Sequence, residues 1–379
     1  MVVSKPLCYL SAIRCFACET SHNPRQLLSV CTACGMPLRV DYDLSRVRLT
    51  LATVRRRTPS LWRYRELLPV GEEAEQTLAE GFTPLLPVES NVWVKDEARN
   101  PTGSFKARGM SVAVSMAKQL GARELAVASE GNAATALAAY GSRSGLPVTV
   151  VVPEDTPAPF VAECEFYGAT VHRVEGTLTE ATRFLHQRGP KNAFELAPLR
   201  EPYRVEGKKT LAYELVEQMD GEVPDVIVYP TGNGIGLIGM WKAFDEMERL
   251  GWIARGRRPR FVAVQAEKCA PIVKAFERGS DSTERWPKPR TKLYGLQVPA
   301  PIGGFICLRA LRDTDGTAMT VTDAEAQRAA QTLASSTGID VCPEGGAAWA
   351  AVMTLRESGF IGEDDSVVVL NTATGQRYR

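Results

Sequence analysis

From about residue 80 to its end this chain alternates short β-branched runs with longer helical stretches, and that alternation constrains the fold more than any other feature. The runs are VWVK (Val92 to Lys95), LAVAS (Leu125 to Ser129), VTVVVP (Val148 to Pro153), TVHRV (Thr170 to Val174), DVIVYP (Asp225 to Pro230), FVAVQ (Phe261 to Gln265) and SVVVLN (Ser366 to Asn371). Between them lie alanine-rich stretches such as AATALAAYGSRSG after Gly131 and KTLAYELVEQM after Lys208. Apolar runs of this length are buried on both faces, and helical crossovers are what parallel strands require. The expected class is therefore α/β with parallel sheets, without internal repeats. With 379 residues, 44% of them hydrophobic, there is enough apolar surface for more than one core.

Charge narrows the partners. Lys and Arg number 45 against 44 Asp and Glu, for a net +1, so no basic excess is available to neutralise a nucleic acid or a membrane surface. The run Arg55–Arg57 lies in a basic and aromatic segment from Arg46 to Leu68, and it has no second basic cluster to support it. That segment reads as a surface stretch or a helix leading into the core. The opening MVVSKPLCYLSAIRC lacks the apolar run of a signal peptide, and no stretch reaches the length of a membrane span. A cytoplasmic protein acting on small molecules is expected.

Nine cysteines are present, four of them in two CxxC pairs, Cys15 with Cys18 and Cys31 with Cys34, separated by twelve residues. Two such knuckles suit four thiolates around a tetrahedral zinc; free thiols or a relic ribbon are the alternative. His22 is an outside candidate ligand. Cys8, Cys164, Cys269, Cys307 and Cys342 are scattered and read as structural.

Four strand-end loops carry polar residues. In KDEARNPTGSFKARGM (Lys95 to Met110) a strand gives way to a turn, Ser104 can cap a helix, and Lys106 stands at that helix's start. A helix N-terminus and an apolar setting both favour the neutral amine that a Schiff base needs. PTGNGIGLIG (Pro230 to Gly239) follows a strand and precedes a helix, so its closely spaced glycines can bring backbone N–H groups onto a phosphate. Its spacing is not the dinucleotide GxGxxG. ASEGNAATAL (Ala128 to Leu137) and NTATG (Asn371 to Gly375) are the third and fourth loops. Each alone also reads as an ordinary cap or turn; together on one α/β chain they describe a ligand site.

As a set and in this order, these segments resemble the fold-type II pyridoxal-phosphate (PLP) enzymes, most closely the threonine synthases, over nearly the whole chain. The resemblance implies that Lys106 carries PLP as a Schiff base and that Asn132 sits beside the cofactor's phenolic oxygen. Gly232, Asn233, Gly234, Ile235 and Gly236 would hold the phosphate, and the Thr372 hydroxyl would meet the pyridine nitrogen. It implies substrate contacts from Ser129 and Glu130, and from Arg204 and Lys208 in PYRVEGKKT (Pro202 to Thr210). It further implies a homodimer and elimination or replacement at a small amino acid, as in the conversion of O-phosphohomoserine to threonine and phosphate. Lys106 would serve as base at Cα, with Glu130 a second catalytic candidate. Two αβ domains would enclose the cofactor in a cleft: a large one from residues 46–110 and 206–379, a small one from 111–205, and a zinc-ribbon-like segment ahead of them at 1–45.

Departures from the family pattern concern the substrate. Glu130 replaces a small hydroxyl residue, and a carboxylate there repels a substrate carboxylate unless it is protonated or turned away. It could equally meet a cationic group, act as an acid or base, or face solvent at a helix start. Leu196, Ala197, Pro198 and Leu199 stand where the family has small polar residues that hold phosphate, leaving Arg204, Lys208 and Arg200 as anion binders. Ala107 follows the lysine where aspartate is common. Glu344, in CPEGGAAWAA, either caps a helix or lines the pocket. The alternatives are therefore a serine/threonine dehydratase, a diaminopropionate ammonia-lyase or a cysteate synthase, and, from another class, a non-catalytic PLP-binding protein.

Overall fold

A computed structural model describes residues 9–379; Cys8 and the residues before it lie outside the described part. The chain opens with strands β1 (Leu10–Cys15), β2 (Ser21–His22) and β3 (Leu38–Tyr42), a short helix α1 (Leu51–Arg55), and the strands β4 (Leu85–Glu89) and β5 (Val92–Asp96). Then come α2 (Lys106–Gln119), β6 (Leu125–Ala128), α3 (Asn132–Ser144), β7 (Val148–Pro153), α4 (Ala158–Phe166), β8 (Thr170–Val174), α5 (Leu178–Arg188), β9 (Phe194–Glu195) and α6 (Tyr203–Gln218). The remainder is β10 (Val226–Pro230), α7 (Ile235–Arg249), β11 (Arg260–Ala266), α8 (Pro271–Glu277), α9 (Gly304–Asp313), β12 (Thr317–Val321), α10 (Asp323–Thr337), α11 (Pro343–Glu357) and β13 (Val367–Asn371).

These elements form two compact units. One holds the chain up to Phe82 and Asn100–Thr210; the other holds Thr83–Arg99 and Leu211–Arg379. In this division residues 46–82 and 100–110 go with the smaller sheet. The physical reason is packing: α2 lies on α3, so the segment around Lys106 goes with that helix pair.

The first unit contains the antiparallel ribbon β2-β1-β3 and a four-stranded parallel sheet in the order β8-β7-β6-β9. Helices α3 and α5 both pack on β6 and β7. The Arg46–Leu68 segment is not a surface stretch throughout. Leu61, Trp62, Arg63, Tyr64, Leu67 and Leu68 are buried, with the Trp62 indole donating to Glu80 at 2.7 Å. Arg55 and Arg56 are exposed, while Arg57 pairs with Glu66 at 2.5 Å.

The second unit is built on a six-stranded sheet, order β12-β11-β10-β13-β5-β4, parallel except for the β4–β5 pair. Alternate residues of a strand share a face, so Val92, Val94, Val226, Val228, Val262, Val264, Val367 and Val369 form one apolar layer. It packs against Ala347, Ala348, Ala351 and Val352 of α11. Ile227, Phe261, Ala263 and Val368 on the opposite face are equally buried, and Phe244 of α7 meets Phe261 edge-on. Burial on both faces is why these strands read as unbroken apolar runs. Among the described residues no helix is long and apolar enough to cross a membrane.

Candidate active site

In the first unit, the chain reaches α2 through the turn Pro101–Gly103, where Thr102 and Gly103 both adopt positive φ (57° and 60°). Phe105, the residue before the helix, already has helical φ/ψ, and the extended Ser104 ahead of it accepts from the Lys106 backbone N–H at 3.4 Å. Lys106 is the first helical residue and is half-buried, its Nζ 4.5 Å from the centre of the Phe105 ring. A second amine shares that ring. Lys208 Nζ stands 3.3 Å from the same centroid and donates to the Phe105 carbonyl.

Two glycines make this meeting possible. A Cβ on Gly207, inside α6, would collide with the Arg108 carbonyl, and one on Gly109, inside α2, would press on the Arg204 carbonyl and the Lys208 side chain. Glycine in a helix interior costs roughly 1 kcal/mol against alanine, and here the cost is offset by a backbone-to-backbone crossing of α2 and α6. Arg108 closes it by donating to the Thr210 hydroxyl at 3.0 Å.

Arg204, one helical turn before Lys208, is fully buried. Its Nη1 donates to the Leu196 carbonyl at 2.7 Å, while Nε and Nη2 have no acceptor among the described residues. Leu196 and Leu199 are themselves core residues, so the stretch that is apolar where the family is polar supplies Arg204 with a backbone carbonyl. Glu201 faces the start of α6, accepting from the backbone N–H groups of Tyr203 (2.7 Å) and Arg204 (3.0 Å), with Oε1 unpartnered. Burial pushes the Glu201 carboxyl up to about 7, against the pull of Arg204 and the two backbone donors. Burial likewise lowers Arg204, opposed by Glu201. A buried guanidinium with two unspent donors suits a phosphate or a carboxylate.

Ser129, Glu130 and Asn132 lie at the β6–α3 junction. The Ser129 hydroxyl accepts from the Gly131 N–H at 3.3 Å, and Gly131 (φ 142°) packs under the Phe160 ring, which would sit 3.1 Å from an added Cβ. Asn132 is the first residue of α3, a helix that packs on α2 and on the turn before Lys106. Glu130 is half-buried; burial and then the nearby Asp155 push its carboxyl up to about 7.

In the second unit, β10 runs into α7 through Thr231–Gly234. Gly234 is the N-cap at φ 75° and Ile235 the first helical residue. A Cβ on Gly232, Gly234 or Gly236 would strike the Gly295 carbonyl, the Cys307 sulfur or the Tyr229 hydroxyl respectively. Only glycine fits at all three, and the loop with half-buried Asn233 leads into the positive end of a fifteen-residue helix. At the end of β13, Asn371 donates to Asp96 at 2.8 Å and accepts from the Cys342 N–H at 3.1 Å. The Thr372 hydroxyl lies 3.5 Å from the Cys342 sulfur.

A model of the family "Pyridoxal-phosphate dependent enzyme" matches residues 76–373. The threonine synthase of Methanosarcina acetivorans is 35% identical over 369 residues, covering 95% of this chain and 90% of its own length. That of Methanocaldococcus jannaschii is 34% identical over 374 residues, 96% and 92% of the two chains. The chain belongs to the threonine synthase family of PLP-dependent enzymes. Solved structures agree on the fold: a maize serine racemase matches with a TM-score of 0.65 and 21% identity (77% of this chain, 88% of that one), and a Rhizomucor miehei L-serine ammonia-lyase with 0.67 and 20% (78% and 97%). The fold is that of the fold-type II PLP enzymes.

Unlike the PLP-family match, which begins at residue 76, the cysteine pairs sit in the amino-terminal ribbon. Their four sulfurs lie within 4.8 Å of one another, with Cys15–Cys34, Cys18–Cys31 and Cys18–Cys34 at 3.5, 3.6 and 3.4 Å. A tetrahedral zinc with Zn–S near 2.3 Å needs sulfurs about 3.8 Å apart, so the donor set fits that ion. His22 is not part of the cluster. Glu344 is buried and accepts from the Gly295 N–H at 2.7 Å, tying α11 to the segment behind Gly232.

Sequence reasoning missed Phe105 and Glu201 in this family member, and read Cys342 as structural without its place as the N-cap of α11. Glu201 carried a usable signal, an acid two residues ahead of a helix start. Cys342 carried a weaker one, its place before Pro343 where Ser or Asp commonly caps.

Proposed function

We propose that this PLP-dependent lyase converts O-phosphohomoserine and water to threonine and phosphate; the relatives it matches are named threonine synthases. The observation that carries the reading is the crossing of α2 and α6 at Gly109 and Gly207, because it brings the helix with the buried, half-satisfied Arg204 onto the helix of Lys106.

The residues divide the work by chemistry. Lys106 would hold the cofactor covalently, the Gly232–Gly236 loop its phosphate, Asn132 its phenolic oxygen and Thr372 its ring nitrogen. The close-fitted glycines and the two partnered polar side chains suit those tasks. When bound, PLP supplies an electron sink for a carbanion at the substrate's Cα. The Lys106 amine would take and return the proton at Cα. Arg204 and Lys208 offer positive charge to the substrate's anionic groups, with Arg204 giving two N–H donors in a fixed plane. Ser129, at the mouth of α3, orients the carboxylate. Helix α2, packed on α3 and α6, keeps the amine half out of water.

A second reading is favoured by Glu130. A carboxyl raised to about 7 is half-ionised at neutral pH, and in that form it attracts a substrate carrying a second amine. That would make the chain a β-eliminating enzyme such as a diaminopropionate ammonia-lyase, with serine/threonine dehydratase and cysteate synthase chemistry next in line. A structural zinc on Cys15, Cys18, Cys31 and Cys34 is part of the proposal, supported by the sulfur spacing; a cytoplasmic homodimer is supported by the family resemblance.

The test is an absorbance scan of the purified protein during amino-acid additions. A near-visible band that is lost in Lys106→Ala, perturbed by O-phosphohomoserine and followed by phosphate release supports the main reading. Perturbation by diaminopropionate alone moves the assignment to the second. A protein that takes up no PLP sinks both.

A further inference from the structure

Glu201, just ahead of α6, and Arg204, in its first turn, carry opposite charges in the core of the first unit, 1% and 0% exposed. They do not satisfy each other. The guanidinium spends Nη1 on the Leu196 carbonyl at 2.7 Å. The carboxyl spends Oε2 on two backbone donors, the N–H groups of Tyr203 (2.7 Å) and Arg204 (3.0 Å). Among the described residues Glu201 Oε1 and Arg204 Nε and Nη2 are left without partners, three buried polar atoms within one turn of chain. Open valences of this kind are costly unless a ligand completes them.

The same contacts decide where a proton on Glu201 sits. A carboxylate oxygen offers two lone-pair sites, and two N–H donors fill those of Oε2. A proton on this carboxyl therefore belongs to Oε1, the oxygen with no partner. Burial pushes the carboxyl up to about 7, against Arg204 and the two backbone donors and with a smaller push from Glu206. The other charges around α6 are engaged or outside. Glu206 pairs with Lys209 and accepts from Tyr42 of β3, Arg108 of α2 donates to Thr210, and Arg200 is exposed.

We propose that Glu201 is a catalytic residue, the proton donor to the substrate's departing phosphate, which the free N–H groups of Arg204 would hold beside it. This inference rests on the proposed binding of that phosphate by Arg204. As the Cγ–O bond breaks, its electron pair stays on the bridging oxygen. A dianionic phosphate ester would then have to leave as a trianion, a poor leaving group. The Oε1 proton of Glu201 lands on the departing group instead, which goes as the hydrogen phosphate dianion. The carboxylate left behind faces the Arg204 charge and regains its proton from the water whose hydroxyl enters the product. The N–H groups of Arg204 can bind phosphate, but a guanidinium gives up no proton at working pH; the neighbouring acid supplies what it lacks.

The experiment compares Glu201→Gln with wild-type holoenzyme by kinetics on O-phosphohomoserine and by infrared difference spectra. The amide keeps an oxygen for both backbone N–H groups and an N–H donor in place of Oε1. Helix cap and ligand hydrogen bond survive, and only the transferable proton is lost. The expected result is a roughly hundredfold fall in kcat with KM within about twofold of wild type. At pH 6 the wild type should show the C=O stretch of a protonated carboxyl that fades by pH 8 and is missing from Glu201→Gln. Infrared serves better than a rate profile because Glu130 titrates in the same range. An unchanged kcat in Glu201→Gln overturns the proposal and leaves a helix cap; so does a loss confined to KM, or a wild type without that band at pH 6. The phosphate placement is tested separately, by ³¹P NMR titration of wild-type and Arg204→Gln holoenzyme with inorganic phosphate. Weaker binding in Arg204→Gln upholds the placement, so that a normal kcat in Glu201→Gln removes Glu201 alone. Unchanged binding removes the placement, and the proposal with it.

Discussion

The loops of the second unit and the helix pair of the first contrast in how their polar groups are satisfied. Around Thr372 each group has a protein partner: Asn371 with Asp96 and Cys342, Thr372 with Cys342, Glu344 with Gly295, and the Thr231 hydroxyl with the Tyr229 carbonyl. Around Arg204 the accounts stay open, with two guanidinium nitrogens and one Glu201 oxygen lacking a partner among the described residues. Glu130 and Glu201 are both displaced to about 7 by burial. A finished network suits a ligand that stays in place through every turnover, as a cofactor does. An unfinished, charged one suits a ligand that arrives bearing the missing charge and then leaves. The contrast gives the first region only proposed cofactor contacts and puts the proposed substrate contacts around Arg204, on the helix packed against that of Lys106, and it can be broken by experiment.

The largest expected effect tests that separation directly. Arg204→Gln removes the buried charge and one planar donor set, a loss of about 2–4 kcal/mol for a buried charged pair, or roughly 30- to 1,000-fold in kcat/KM toward O-phosphohomoserine. The cofactor's visible band should be unchanged. If PLP is lost along with substrate turnover, the division into two sides fails.

How legible this was follows the same line. The apolar strands buried on both faces of the sheets could be located in the sequence to within about one residue, because full burial writes an unbroken run such as VTVVVP. In the two large sheets, the strands the pattern misses are β4, β9 and β12, and all three are sheet edges. An edge strand is partly exposed, so Thr317–Val321 mixes Thr, Ala and Met without either a run or a clean alternation. The Lys106 and Gly232–Gly236 segments were legible because a turn, a helix start and a set of glycines are local constraints. The pairing of Glu201 with Arg204 was not, since it depends on both being buried at the start of α6. Ser104 was legible too: it is extended while Phe105 already has helical φ/ψ, and its hydroxyl accepts from the Lys106 N–H.

A smaller effect concerns the sign of the charge at Glu130. With its carboxyl at about 7, the group is neutral below that pH and anionic above it. Toward a substrate whose carboxylate approaches this position, kcat/KM should therefore fall as pH rises through 7, by at most tenfold per unit. Glu130→Gln should flatten that decline while leaving the acid-side rate nearly intact. A rise through the same window, abolished by the same substitution, would instead mark a cationic substrate group and favour the second reading.

The smallest effect should come from the ribbon, and it bears on which side the ribbon serves. Its strand β3 ends in Tyr42, whose hydroxyl donates to the buried Glu206 of α6 at 2.8 Å; Glu206 also pairs with Lys209 at 2.7 Å, and Lys209 stacks 4.0 Å over the Tyr42 ring. Tyr203, at the start of α6, reaches the carbonyl of Gln26, which lies between the two cysteine pairs. Both links end on the helix of Arg204 and Lys208. Treating the holoenzyme with a chelator to remove the proposed zinc should then raise KM for O-phosphohomoserine by roughly fivefold and leave the visible band in place. Tyr42→Phe should reproduce part of that shift with the metal still bound. Were chelation to release PLP and spare KM, the ribbon would belong to the cofactor side, and the link through Glu206 would be structural only.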